Sequence, residues 1–325
     1  MAVTADTMIS GADDAAQRQA RRSQLQDRIY YFMTLGSAVF VVAVLLAVIV
    51  SLIIGAWPAF SNFGLGFVWN QKWSPVKEIF GALAPIYGTL VTSIIAMILG
   101  IPISFGIAIF LTEICPPPLR RPIGVAIELL AGIPSIIYGL WGFFVLAPFL
   151  QATVQPFLIN TLGNVPVVGL LFGGAPYGIG LLTAGIVLAI MVLPFITSVT
   201  RDVFQTVPVL LRESAYSMGM TTWEVVRQIV IPYTRVGLVG GIMLGLGRAL
   251  GETMAVTFVI GNSYNISASL LAPATTISAS IANEFTEATG GLYTSSLIAL
   301  GCILFVITFT VLGVAKWLLV RTEGN

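Results

Sequence analysis

Six long apolar runs dominate the sequence, near residues 30–54, 85–111, 123–150, 178–200, 236–262 and 294–319. Each is long enough to cross about 30 Å of hydrocarbon as a helix, which takes about 20 residues. Inside lipid every backbone N–H and C=O must be satisfied by the protein itself, so a spanning segment is either a helix or part of a closed barrel. Continuous apolarity without period-two alternation selects helices. The expected fold is all-α, a polytopic membrane protein with about six transmembrane helices. Composition agrees, with 57% hydrophobic and only 9% charged residues in 325, where a soluble domain is about one quarter charged.

A net charge of +1 and the lack of a long basic run give no electrostatic reason to expect nucleic acid. The placement of the basic residues is more telling. With a cytoplasmic N-terminus, one side of the membrane receives Arg18, Arg21, Arg22, Arg28, Arg120, Arg121, Arg201, Arg212, Arg227, Arg235 and Arg321, with Lys316 just inside the last helix end. The other side receives only Lys72 and Lys77. That asymmetry places both termini in the cytoplasm. Residues 1–28 read as a polar cytoplasmic tail, and the apolar run behind it is too long for a signal peptide and lacks a small-residue cleavage site.

Several chemistries are excluded by what the chain lacks. With no histidine, neither an HExxH zinc site nor a Ser-His-Asp triad can be built. The only lysines are Lys72, Lys77 and Lys316, so no GxxxxGK[ST] phosphate loop exists. "GLGRALG" has GxGxxxG spacing within a helical run and is no dinucleotide fingerprint. Cys115 and Cys302 fall at different expected sides or depths and imply no disulfide framework. No cofactor is expected in this chain, and ATP-driven work would need another one.

Of the external connections, 55–84 is aromatic and turn-rich and suits a lid at the membrane interface. Segments 151–177 and 263–293 read either as solvated connectors or as receivers of an external partner. In the second reading, Glu284 and Glu287 meet its basic or polar patches.

The cytoplasmic connection, 201–235, reads "RDVFQTVPVLLRESAYSMGMTTWEVVRQIVIPYTR". Pro208 opens a helix that Gly219 ends as a left-handed cap. Thr221 with Glu224 three residues later has capping-box spacing for a second helix, and Pro232 is expected to close it. Physics alone leaves two readings, an interfacial helix resting on lipid or a docking element for a cytoplasmic protein.

Glu213, Ser214, Ala215, Gly219, Ile229 and Pro232 resemble the EAA loop of ABC importer permeases, with Ser214 in place of the second Ala and Ile231 in place of Leu. The resemblance implies that 201–235 carries the short coupling helix that sits in a cleft of an ATPase subunit. Thr221 to Asn262, supported by "GIPSIIYGL" at 132–140, is similar to the permeases of bacterial phosphate-specific ABC transporters. What this implies is a type I ABC permease core over 85–320, preceded by a first helix and external interfacial segment over 29–84. It further implies a multi-pass location in the bacterial inner membrane and import of inorganic phosphate. The implied partners are a second, PstA-like permease, a PstB-like ATPase dimer holding ATP-Mg, and an external PstS-like phosphate-binding protein. The rival class is an ion-coupled secondary transporter or anion channel, in which 201–235 rests on lipid.

The stretch from Gly240 to Gly261 keeps two charges, Arg248 and Glu252, inside an apolar run. A lipid-facing Arg at the bilayer centre costs from about 2.5 to over 10 kcal/mol, so Arg248 must face protein or water. On a continuous helix the two charges share one face. Gly237, Gly241, Gly245 and Ala249 form a neighbouring small-residue ridge for close helix approach. Two roles stay open for the pair. The charges neutralise each other or a partner helix, or Arg248 offers a guanidinium fork to an oxyanion in the pathway while Glu252 orients it or pairs with it when substrate is absent. Glu113 and Glu128, near helix ends, need no transport role, and Gly132 with Pro134 reads as a packing kink in the third span.

Overall fold

The computed structural model describes residues 3–163, 165–166 and 168–323. Helices carry most of them, and among the described residues the only pairing of extended segments is a single bridge between Ser74 and Ile79. Six helices are long and apolar enough to span a membrane, as expected. They are α1 (Val3–Phe63, apolar over Gln26–Phe63), α2 (Leu83–Ile114), α4 (Ser135–Leu162), α5 (Leu181–Gln205), α7 (Thr222–Gly251) and α10 (Gly291–Glu323, apolar to Trp317). Between them lie α3 (Pro117–Ala131), α6 (Val209–Ser217), α8 (Met254–Val259) and α9 (Ile277–Glu284).

The chain divides into two compact units at Ile54 and Gly55. In the first, no side chain from Ile29 to Ile54 is buried, and this stretch of helix is apolar on every face. The second contains the helical core. Its most extensive pairing joins α2 and α5, around Ala96, Val187, Leu188, Met191 and Val192. Helix α7 lays its glycine ridge on α5. A Cβ at Gly237 would stand 2.6 Å from Val203 Cγ1, and one at Gly245 would stand 2.7 Å from Ile196 Cδ1. The fourfold spacing thus does what its periodicity implies, bringing two backbones together along Val192, Ile196, Val199 and Val203.

Four expectations change. The third span lies at 135–162, downstream of the expected 123–150, because Gly132 to Pro134 stops α3 outright and a new helix starts at Ser135. Pro134 lacks an N–H and sits just before the first turn of that new helix, where no donor is needed. Likewise, Pro232 does not close a helix. A π-turn over Val226–Val230 precedes it, so Pro232 falls in the first turn of the α-segment that continues to Gly251.

The fifth span breaks at Glu252, whose backbone is extended (φ −69°, ψ 132°), before α8 resumes at Met254. Finally, 263–293 is not a solvated connector. Leu271, Ala274, Thr275, Thr276, Ile277 and Ser280 are buried, and the segment dips into the bundle as α9. Its polar groups are paired internally. Ile277 N donates to Thr89 Oγ1 at 3.0 Å, and the Thr276 hydroxyl caps α9 by accepting from Ala279 N.

Candidate functional site

The hairpin over 208–232 is built from local turn chemistry. Pro208, at φ −55° and ψ 133°, leads into α6 as its N-cap. Gly219 reverses the chain at φ +84°, a conformation that costs a side-chain-bearing residue about 1–2 kcal/mol. The Thr221–Glu224 capping box then forms in full, with Thr221 N donating to Glu224 Oε2 at 2.7 Å and Glu224 N to Thr221 Oγ1 at 3.4 Å.

Of the six hairpin residues singled out from sequence, Ala215 and Ile229 face inward, joining Phe204, Val207, Val225, Val230 and Leu238 in one apolar cluster. Glu213, Ser214, Gly219 and Pro232 are exposed, and Glu213 takes part in no ion pair among the described residues. The sequence reading passed over the exposed apolar side chains of the hairpin. Leu210 is 72% exposed, Met218 83% and Trp223 61%. Helical periodicity alone marks such residues as core; only their place in a short segment beyond the spans signals otherwise.

At the far end of α7, Arg248 and Glu252 are not paired with each other. The helix ends at Gly251, so they do not share one helix face. Arg248 occupies the last turn, where the negative end of the helix dipole favours a cation. Its guanidinium carbon lies 4.2 Å from the centroid of the Phe195 ring on α5, and its buried Nε donates to no protein acceptor. Glu252 turns the other way, its Oε1 accepting from Ala255 N at 3.3 Å in the first turn of α8. Each charge thereby faces a helix end of the opposite partial charge. Helix α8 in turn packs on the 132–140 motif, where a Cβ at Gly139 would be 3.0 Å from Ala255 Cα.

Glu284 gathers a cage of aromatic donors near the start of α10. Glu284 Oε2 accepts from Trp73 Nε1 at 2.6 Å and from the Tyr293 hydroxyl at 2.8 Å, while Glu284 Oε1 accepts from the Tyr264 hydroxyl at 2.5 Å. Trp73 and Tyr264 stack with centroids 5.3 Å apart. Burial, and then the Glu284 hydrogen bond, push the Tyr264 phenol above its ordinary range. Glu284 is therefore spent internally and is no docking charge, whereas Glu287 is exposed. Lys72 and Lys77 line one cleft of about 620 Å³ beside this cage.

A capped hairpin leads into a membrane helix that ends in a broken, charged segment, within a bundle that carries six helices long and apolar enough to span a membrane. Residues 100–323 match the family described as binding-protein-dependent transport system inner membrane component, and the chain belongs to that family.

More particularly, it is 64% identical over 305 residues to the phosphate transport system permease protein PstC of Mesorhizobium japonicum, covering 94% of this chain and 93% of that one. To the protein of the same name from Pasteurella multocida it is 59% identical over 286 residues, covering 88% and 89%. Among solved structures, a bacterial alginate ABC transporter chain is similar with a TM-score of 0.58 at 16% identity, covering 89% of this chain and 93% of that one. A chain of the MetNI methionine ABC transporter gives a TM-score of 0.57 at 16% identity, covering 77% and 99%. At those identities the likeness concerns the fold.

Proposed function

We propose that this chain is the phosphate-conducting permease of an ATP-driven importer, forming half of the pathway beside a second, related permease. Its coupling hairpin docks on an ATPase dimer that holds ATP-Mg, and an external binding protein delivers inorganic phosphate to the opposite face. The observation that carries this reading is that hairpin and pathway charges terminate one helix. Helix α7 starts in the Thr221 capping box and ends at Arg248 and Gly251, so movement of the hairpin is delivered to the guanidinium without an intervening loop.

The hairpin's exposed Leu210, Met218 and Trp223 supply an apolar knob for the ATPase cleft, and Glu213 supplies a contact to a basic side chain there. Arg248 supplies the anion contact. Its guanidinium rests over the Phe195 ring, and its Nε is unoccupied by any protein acceptor. One fork binds an oxyanion weakly enough to release it, which a pathway requires. Glu252, held apart by Ala255 N, repels the anion and disfavours a permanent trap. The bias of arginines toward the hairpin end supports cytoplasmic termini in a bacterial inner membrane.

The test is ATPase stimulation in the reconstituted complex with its binding protein. Phosphate is expected to stimulate hydrolysis and enter the vesicle, while sulfate does neither. Phosphate uptake by this chain alone, driven by an ion gradient without ATP, would overturn the reading.

A further inference from the structure

We propose that Arg212 and Glu113 form the joint through which the coupling hairpin moves the second span; this rests on the coupling role given to the hairpin above. Arg212 stands on α6 with its side chain 18% exposed, and Glu113, 5% exposed, stands in the π-turn Phe110–Ile114 that ends α2. Arg212 Nη1 lies 3.0 Å from Glu113 Oε1, and Arg212 Nη2 donates to the carbonyl of Phe204 at 2.6 Å. One guanidinium thus ties the hairpin to the ends of two membrane helices, α2 and α5.

Three features suit this contact to transmission. First, Arg212 and Glu213 are adjacent, yet they face different surroundings. Glu213 is exposed and unpaired among the described residues, while Arg212 points into the bundle. Neighbours on a helix are about 100° apart, so a push received at the outer residue turns the inner one. Second, Glu113 Oε1 accepts no linear hydrogen bond, and the link to Arg212 is made by charge at close range. A contact of that kind tolerates rotation but resists separation, since a buried charge left alone is strongly disfavoured. Third, the carboxylate is carried on a π-turn, whose extra residue per turn is a local irregularity often placed at functional points of helices. The apolar cluster of Ala108, Phe204, Ala215 and Val225 adheres nearby, but such packing has no directional pull of its own.

The experiment uses the complete complex in vesicles with binding protein and inorganic phosphate, and reads phosphate imported per ATP hydrolysed. Glu113→Gln is expected to retain the ATPase subunit and hydrolyse ATP, with this ratio reduced at least tenfold. A contact that only stabilises the fold lowers membrane abundance and leaves the ratio unchanged, so a wild-type ratio in Glu113→Gln overturns the proposal. If the Gln variant does not accumulate, Glu113→Asp decides. It keeps the charge and shortens the reach, so a reduced ratio supports the joint and a wild-type ratio overturns it. Failure of the underlying functional reading looks different, because the unaltered complex would then import phosphate without consuming ATP.

Discussion

The guanidinium carbon of Arg248 sits 4.2 Å from the centre of the Phe195 ring, joining the end of α7 to the middle of α5 through a cation over an aromatic face. Such a contact is worth about 0.5–2 kcal/mol depending on desolvation, enough to bias a mobile side chain toward one orientation. Phe195→Leu keeps the bulk and removes the ring face. Phosphate uptake is expected to fall about five- to tenfold, roughly the range that 1–1.4 kcal/mol corresponds to, with Phe195→Tyr close to wild type. Initial-rate uptake at matched membrane abundance checks this; equal uptake by the Leu variant counts against ring-positioning of Arg248.

Gly219 turns the hairpin at φ +84°, and no atom stands within 4 Å of a Cβ placed there. The cost of substitution is therefore conformational rather than steric. Gly219→Val is expected to insert normally but to lose most ATPase co-purification, since the strain of about 1–2 kcal/mol reshapes the turn. Glu213→Lys is expected to do the same through charge reversal at the exposed residue proposed to dock. Wild-type co-purification in both variants would refute the docking assignment.

The α5–α7 contact is backbone-close, with Ile196 and Val192 filling the space over Gly245. Gly245→Leu forces those side chains aside, at about 1–3 kcal/mol of overpacking or more. It is expected to lower the thermal midpoint of the purified complex by several degrees. Gly313→Leu, where nothing stands within 4 Å, is the control and should leave the midpoint in place.

Tyr264 answers to pH. Its phenol is raised above the ordinary value of about 10 by burial and by Glu284. The unfolded form therefore loses this proton first, and the cage's contribution is complete below about pH 10 and declines as pH rises beyond it. Proteolysis between residues 64 and 82 should accelerate above that pH in the wild type. In Tyr264→Phe, cleavage should be faster at neutral pH and show a smaller alkaline rise; an alkaline rise as large as wild type would show that Tyr264 does not carry the effect.

Much of this architecture is written locally. The left-handed glycine at 219 and the Thr221–Glu224 box are decided by neighbouring residues, and the ridge at 237, 241 and 245 follows from helical period, so all three were legible. Pro232 was not, because its effect depends on a π-turn formed by residues before it. The Ser/Thr-rich segment around Thr276 reads as solvated, yet its hydroxyls bond within the bundle, and burial of that kind leaves no apolar signature. Glu113 and Arg212 meet only through tertiary packing of distant segments, which no spacing rule reveals.

The assignment of Arg248 to the anion's path is tested most directly by phosphate uptake of the exchanged double variant Arg248→Glu with Glu252→Arg, in the assembled complex at matched abundance. The two charges are unpaired and serve different helix ends, so the exchange puts a carboxylate over Phe195 and an arginine at the start of α8. The complex is expected to assemble and to import phosphate at under about a tenth of the wild-type rate, the loss that about 1.4 kcal/mol of misplaced contact produces. Near-normal uptake would contradict this, making the pair a structural balance of charge and removing Arg248 from the pathway.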